Sequence, residues 1–534
     1  LRTRPWIGLG IALVLLAPPA WSQKPSREIK KQAEAITADV LKNYLTFIAS
    51  DALLGRDTPS PGLDAAAEFI AFHCRQFGLK PGGDSGTYFQ KIALVSSGLD
   101  PARSKATLGG RILGVGTDFA PSVQGGGGTV SGPLVFVGHG WQITGQGIDP
   151  YAGADIKGKI LVVGGTSLPS GVTFRTLRDP NSGALSPEAA AAKYGALGVV
   201  RLATDDDWPQ IARGAGASRR GGFRMETGEG SEAASVPSIA LSPAAAAELL
   251  DGESVPLDDA KAGKTVAATA LSSGKTVAFT VEKRVDRRFT QNVVAIAEGS
   301  DPTLKAEYVA FGAHYDHIGA GEPDGSGRDV INNGADDDGS GTVSLLAIAQ
   351  ALSQGKRPKR SVILVWHCGE EKGLWGSEYF TDRPTVPIAS IVTQLNIDMI
   401  GRSKSPGDTN PRNESLSGPD TIYVIGSRML STQLGQLVDG VNADYLKVGY
   451  DFKYDDPNDP NRFYFRSDHY NYAKHNIPIA FWFDGVHEDY HRVGDEVSKI
   501  DFVKMEKVAR TVFATGLTIA NLPARPVVDK KPDR

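Results

Sequence analysis

The chain has 534 residues, 22% of them charged and 41% hydrophobic, with a formal net charge of −4. That length exceeds a single hydrophobic core and predicts at least two compact units, since domains run to roughly 150 residues each. The composition is that of a globular chain, and with no basic excess to neutralise a phosphate backbone it excludes a nucleic-acid partner, leaving small or peptidic molecules.

At the start, Arg2 and Arg4 precede an apolar run and then small residues ending Ala20-Trp21-Ser22. This order predicts a secretory signal peptide over 1–22 and an exported protein, periplasmic or extracellular. No stable membrane anchor is expected, because a span needs ~20 apolar residues and Pro18-Pro19 interrupts this one. Only Cys74 and Cys368 occur. They make no disulfide framework, although one bridge is allowed, and neither has metal-site spacing, so any metal has to be held by His and carboxylates.

From Ile29 to about Leu79 the apolar spacing in ITADVLKNYLTFIAS and AAAEFIAFHCRQFG predicts two helices, a helical part reaching over 23–125. Gly125 to Gly128 is pure glycine, a strong breaker, and predicts a boundary. Over 126–284 short β-rich runs follow, PLVFVGHG, KGKILVVGG and GVVRLA, with one helix, SPEAAAAKYGALG. This stretch resembles the protease-associated (PA) domain inserted in several exopeptidases. Its basic patch, Arg219 to Arg224, reads as a solvated loop. Over 285–522, apolar strands (EYVAFGAH, SVILVWHC, SIVTQLNID, IPIAFWFD) alternate with helices. That predicts an α/β fold, a mixed β-sheet covered by helices on both faces, and 523–534 is left as a tail. Such sheets bind ligands beyond the carboxyl ends of their strands.

Strand after strand ends there in a metal-ligand type of side chain. EYVAFGA leads into His314-Tyr315-Asp316-His317, SVILVWHCG into Glu370-Glu371, VTQLNI into Asp398, and the last strand is followed by Tyr490-His491; Asp336-Asp337-Asp338 precede a helix. Seven of the nine His fall between His314 and His491, so imidazole is concentrated in this half. Any one of these acids, taken alone, is a turn or helix cap. Together they make a His/Asp/Glu set without Cys, which suits Zn, Mn or Co. A carboxylate between two metals about 3.5–4 Å apart would bridge them, and the pair would lower the pKa of a shared water. A further carboxylate is needed as general base, and the adjacent glutamates divide these roles.

The ordered motifs GAHYD, GADDDGSG, EEKGLWGSEYF, NIDMIGR and DYHRVGDE resemble those of the co-catalytic zinc aminopeptidases, which share a family with glutamate carboxypeptidase-like exopeptidases. The resemblance covers roughly Thr290 to Ile519, and the LLGR of Leu53 to Arg56 is similar to PA-bearing members. It implies two zinc ions, favoured over manganese or cobalt, with His314 and Asp398 on one, Glu371 and His491 on the other, and Asp337 bridging. It further implies Glu370 as the catalytic base, Asp316 as the carboxylate that orients His314, and Tyr490 as a group that polarises the substrate carbonyl. The expected partner is a peptide with a free N-terminus; the oligomeric state is not legible.

Other residues invite weaker readings. His317 is read as a pocket residue, His487 as an alternative partner of His491 four positions on, Asp468-His469 as a loop shaping the pocket, and Asp455 to Asn461 as a turn cluster rather than a calcium site. Cys368 stands two places before the Glu pair, where family members often have Asp, and is read as a buried strand end. Three rival functions remain: a carboxypeptidase or dipeptidase, for which Arg402 or Arg466 would grip a carboxylate; a glutaminyl cyclase-type acyltransferase with one zinc; and a PA-bearing binding protein without catalysis.

Overall fold

The computed structural model describes residues 24–531 other than 124, 166–167, 170, 174–175, 178, 180, 216–221, 227–234, 265–267 and 324. The expected signal peptide at 1–22 lies outside these residues, as do Arg219, Arg220 and Gly221 of the basic patch. The chain divides into two compact units, one drawn from the chain up to Ile92 and from Phe289 onward, the other spanning Ala93–Arg288.

In the second unit a six-stranded sheet takes the order Thr269–Ala270, Leu134–Phe136, Ile160–Gly164, Gly198–Leu202, Ser238–Leu241, Phe119–Pro121, and a four-stranded antiparallel sheet joins Arg111–Ile112, Lys105–Leu108, Val277–Val281 and Gly128–Gly132. Residues of both sheets share one apolar cluster, Phe119, Phe136, Val200 and Ile239 meeting Ala106, Val130 and Phe279. The helix read from SPEAAAAKYGALG runs Pro187–Tyr194, with the Ser186 hydroxyl accepting from the Ala189 N–H and Gly195 closing it in the left-handed region. The boundary expected at Gly125–Gly128 falls inside this unit. Lys105–Leu108 pairs with Val277–Val281 and Phe119–Pro121 with Ser238–Leu241, long-range ladders that draw the preceding strands into the unit and that a local glycine run cannot reveal.

The first unit opens with α1 (Arg27–Ala33), α2 (Ala38–Ile48) and α3 (Pro61–Gln76), whose first turns are capped by the hydroxyls of Ser26, Thr37 and Ser60. The spacing predicts the second and third; α1, at 7 residues, is too short for a period to show. The main sheet contains β1 (Phe89–Leu99), β2 (Lys283–Ala297), β3 (Tyr308–His314), β4 (Ser361–His367), β5 (Ile391–Ile397), β6 (Thr421–Ile425), β7 (Gly449–Asp451) and β8 (Ile479–Phe483), in the order β1-β2-β4-β3-β5-β8-β6-β7. The central strands β4, β3, β5 and β8 are mutually parallel, while β2 and β6 lie antiparallel to β4 and β8. The sheet is therefore mixed, as the alternation predicts.

Five helices complete the unit: α4 (Gly341–Ser353), α5 (Trp375–Asp382), α6 (Thr432–Asp444), α7 (His469–Lys474) and α8 (Phe502–Ala520). Phe311 of β3 lies so close to Gly516 of α8 that a Cβ there would come within 2.1 Å of its ring. Its neighbour Ala310 shares a cluster with Phe380 of α5 and Tyr472 of α7. Adjacent strand residues point to opposite faces, so helices cover both. That double burial is why β4, buried at every position, reads as an apolar run over Val362–Trp366; β5 is buried throughout as well, and its Thr393, Gln394 and Asn396 are hydrogen-bonded there.

Candidate metal centre

The four parallel strands deliver the predicted residues to one edge of the sheet. His314 is the last residue of β3, Glu370 and Glu371 follow β4, Asp398 follows β5, and Tyr490 and His491 come after β8. Asp337 stands just ahead of α4, and the Asp337–Asp338 peptide is cis. The His314 Nε2 lies 3.3 Å from Asp337 Oδ1 and 3.7 Å from Asp398 Oδ1. The His491 Nε2 lies 3.2 Å from Asp337 Oδ2 and 3.1 Å from Glu371 Oε2. Donors set tetrahedrally about an ion at about 2.0–2.1 Å stand about 3.3 Å apart. The two oxygens of Asp337 thus face two separate imidazole–carboxylate sets, at that spacing except for the His314–Asp398 contact, which at 3.7 Å is longer.

The residues fit a pair of divalent cations. Asp337 Oδ2 is buried without a hydrogen-bond donor. Burial, reinforced by Asp398 and Glu371 against the pull of His314, holds the Glu370 carboxyl well above the usual glutamate range. Burial opposes the charged form of His491, yet Asp337 and Glu371 lift its imidazole to about 10. Burial likewise works against an ionised Asp337, but the adjacent imidazoles of His314, His491 and His317 pull it well below the usual range. A crowded set of acids and imidazoles without a thiolate suits zinc and other borderline ions.

Two further residues come close enough to be considered as ligands, His314, Asp338 and Asp398 forming one compact trio and His317, Asp337 and Glu371 another. Asp338 has a different role. Its Oδ1 accepts from the Gly341 and Met399 N–H groups at 2.9 and 3.1 Å, and its Oδ2 from the His314 N–H at 3.1 Å. Asp336 is committed in the same way, accepting from the Gly401 N–H at 2.7 Å and facing His487 Nε2 at 3.3 Å. Of the three consecutive acids only the middle one has oxygens turned to both imidazoles.

Behind these residues stands an outer ring of partners. Ser467 donates to Asp398 Oδ2 at 2.5 Å. Asp316 accepts from Thr58 Oγ1 and from the Glu370 N–H, both at 3.1 Å. The nearest acceptor to His314 Nδ1 is the Asp316 carbonyl at 3.2 Å, with the Asp316 carboxylate at 3.7 Å, so Asp316 meets the ring through its backbone first. Asp495 accepts from the Asp336 and Asp337 N–H groups. Ser467, Thr58 and Asp495 do not stand out in the sequence as functional; Asp495 and Asp338 carry the signal of the motifs DYHRVGDE and GADDDGSG, and Ser467 adjoins the Asp468-His469 loop.

Arg56, of the LLGR segment, is fully buried and donates to the backbone carbonyls of Ile48, Tyr315, Asn333 and Gly334 at 2.5–3.0 Å. It ties the turn after His314 to the segment that leads to Asp337. Burial lowers its pKa to about 10 against the opposing pull of Asp316, Asp337, Asp495 and Asp338. Arg56→Met is expected to destabilise the fold by on the order of 4 kcal/mol, at about 1 kcal/mol for each stranded carbonyl. The check is a lower denaturant midpoint at unchanged m-value.

The remaining candidates fall as follows. His487 faces Asp336 across a loop and is not on a helix with His491. Asp468 sits 3.3 Å from His367 Nδ1, and the His469 Nε2 lies 2.8 Å from the Tyr464 carbonyl. Asp456 and Asp459 accept from N–H groups two residues on, and Asp455 accepts from the distant Gly426 N–H. Cys368 is buried, with its N–H on Asn292 Oδ1, and both cysteines are unpaired. The Arg402 Nη2 donates to Asp489 at 3.0 Å, with Nη1 3.8 Å from Asp495, so this guanidinium is taken up inside the protein. Arg466 is exposed and lines the cavity over the candidate centre, together with Met399, Phe463, Phe481, Phe483, Val486 and Tyr490. The Tyr490 ring stacks on His491 at 3.9 Å, and burial with Asp337, Glu371 and Glu370 nearby raises its hydroxyl pKa.

The structure thus gathers imidazoles and carboxylates at the carboxyl edge of a mixed sheet. Residues 292–516 match the model of peptidase family M28. The chain is 27% identical over 297 residues to leucine aminopeptidase 2 of Trichophyton equinum, covering 50% of this chain and 53% of the relative. It is 27% identical over 293 residues to probable leucine aminopeptidase 2 of Aspergillus oryzae, covering 49% and 52%. It therefore spans about half the length of the curated relatives it matches. Among solved structures, the aminopeptidase of Aneurinibacillus sp. strain AM-1 is similar at 19% identity over 95% of this chain and 100% of that one, with a TM-score of 0.48. The zinc aminopeptidase of Bacillus subtilis is similar at 16% identity, with coverage of 90% and 94% and a TM-score of 0.43.

Proposed function

We propose that this chain is an aminopeptidase that removes N-terminal residues from peptides at a centre of two zinc ions. The observation that carries the reading is Asp337, whose two oxygens face two separate imidazole–carboxylate sets beside Glu370. The ions would be held by His314 and Asp398, by Glu371 and His491, and jointly by Asp337, and when bound they supply Lewis acidity toward the scissile carbonyl and acidify a water. Glu370 takes the proton of the attacking water and hands it to the leaving amine, a transfer favoured by a carboxyl whose pKa is held up. Tyr490, on the cavity wall, donates its hydroxyl to the developing oxyanion. Phe463, Phe481, Phe483 and Val486 receive an apolar side chain, a preference consistent with relatives named leucine aminopeptidases. Export is part of the proposal and rests on Arg2, Arg4 and the apolar run that follows. So is the reading of the second unit as a PA domain, which rests on the sequence pattern of its strands.

The carboxypeptidase alternative has lost one of its two arginines, since Arg402 is committed to Asp489 and Asp495. The experiment that separates the readings is metal content per chain together with hydrolysis of leucine amide, N-acetyl-leucine amide and an N-blocked peptide with a free carboxylate. Two metals and chelator-sensitive cleavage of leucine amide alone are expected. Cleavage of the N-blocked peptide alone would replace the aminopeptidase by a carboxypeptidase.

A further inference from the structure

The second imidazole of the HYDH segment has no part in the proposed chemistry, yet it is among the most buried polar groups of the site. His317 is fully buried, and its Nδ1 lies 2.8 Å from Glu371 Oε1. Its ring meets that of His491 edge-on with centroids 5.7 Å apart. Its own N–H donates to the Arg56 carbonyl at 3.1 Å, and its ring crowds Gly334, where a Cβ would come within 2.6 Å. The ring is thus held through Nδ1 and by packing, while its Nε2 is buried without a hydrogen-bond partner among the described residues.

His317 belongs by distance to a possible ligand trio with Asp337 and Glu371, so two roles compete. The oxygens of Glu371 decide between them. His491 approaches Oε2 at 3.1 Å, whereas His317 approaches the other oxygen, Oε1, at 2.8 Å. The first distance is the ligand-to-ligand spacing of a tetrahedral site and the second is that of a charge-assisted hydrogen bond. His317 therefore grips the outer oxygen of Glu371 and turns the inner one toward the metal position. In the same way Ser467 holds the outer oxygen of Asp398.

We infer that His317 is a positioning residue for the second metal: its Nδ1–H donates to Glu371 Oε1 and so sets the ligand oxygen that completes the site with His491 and Asp337. The inference rests on the two-metal reading above. Outer partners of this kind are worth about 10–100-fold in metal affinity.

The test is titration of the metal-stripped full chain with Zn²⁺ against a chromophoric chelator, for wild type, His317→Leu, His317→Asn, Glu371→Ala and Asp398→Ala. Asparagine places an amide N–H near the position of Nδ1; leucine fills the space without a donor. In His317→Leu one dissociation constant is expected to rise about 10–100-fold, the one that Glu371→Ala abolishes and not the one that Asp398→Ala abolishes. His317→Asn is expected to recover most of that affinity. Unchanged constants in His317→Leu would overturn the inference, and so would an asparagine variant, folded by its circular dichroism, that binds no better than leucine. A wild-type chain that takes up fewer than two zinc ions would instead overturn the two-metal reading itself.

Discussion

Glu370→Gln is expected to lower kcat by about 10²–10⁴-fold, the usual worth of a general acid–base group, while two metals stay bound. The amide keeps the size and loses only the ability to accept and return a proton. Glu370 lines the cavity, and its N–H is anchored to Asp316, so the substitution leaves the backbone in place. Retention of metal follows from geometry, because the close imidazole–carboxylate contacts run through His314, Asp337, Asp398, Glu371 and His491 and not through Glu370. A second readout comes from linkage. The Glu370 pKa in the folded, metal-free chain is raised by burial, then by Asp398 and Glu371. Above the usual glutamate pKa the ionised carboxylate therefore weakens the fold, and that penalty grows until the raised pKa is reached. Removing the charge relieves it, so metal-free Glu370→Gln should melt no lower than metal-free wild type at neutral pH. Near-normal turnover in this variant would take the base role away from Glu370.

Asp337→Ala is expected to remove activity and to weaken both metal positions together, each by more than the 10–100-fold that an outer partner contributes. Among the described residues no other faces both sets, since Oδ1 stands beside His314 and Oδ2 beside His491. Its neighbours cannot substitute for it. Asp336 and Asp338 are pinned by N–H groups of Gly401, Met399, Gly341 and His314. Asp398→Ala, by contrast, should weaken one position and leave the other. Equilibrium dialysis followed by elemental analysis distinguishes the two patterns, and loss of a single metal from Asp337→Ala would rule out a bridging role.

Much of the site is legible in the sequence because each candidate follows an apolar strand, and parallel strands that share a sheet bring their carboxyl ends together. His314, Glu371, Asp398 and His491 lie far apart in the chain, yet their position after β3, β4, β5 and β8 suffices to collect them. What holds them is less legible. Asp338 and Asp495 act by accepting backbone N–H groups, and any aspartate before a helix or in a turn reads the same way. Ser467 and Thr58 matter because a hydroxyl lands near a carboxylate from a distant segment. The start of the second unit was hidden for the same reason: a glycine run is a local signal, whereas the pairing of Phe119–Pro121 with Ser238–Leu241 is a long-range one.

The two acids flanking Asp337 have a consequence for how the proposed centre would take up its ions. Their carboxylates engage backbone amides from four places along the chain, so the cradle is closed by the polypeptide alone. Folding, and not the cation, bears the ordering entropy of the site. A chain stripped of metal would then keep its shape and refill without refolding.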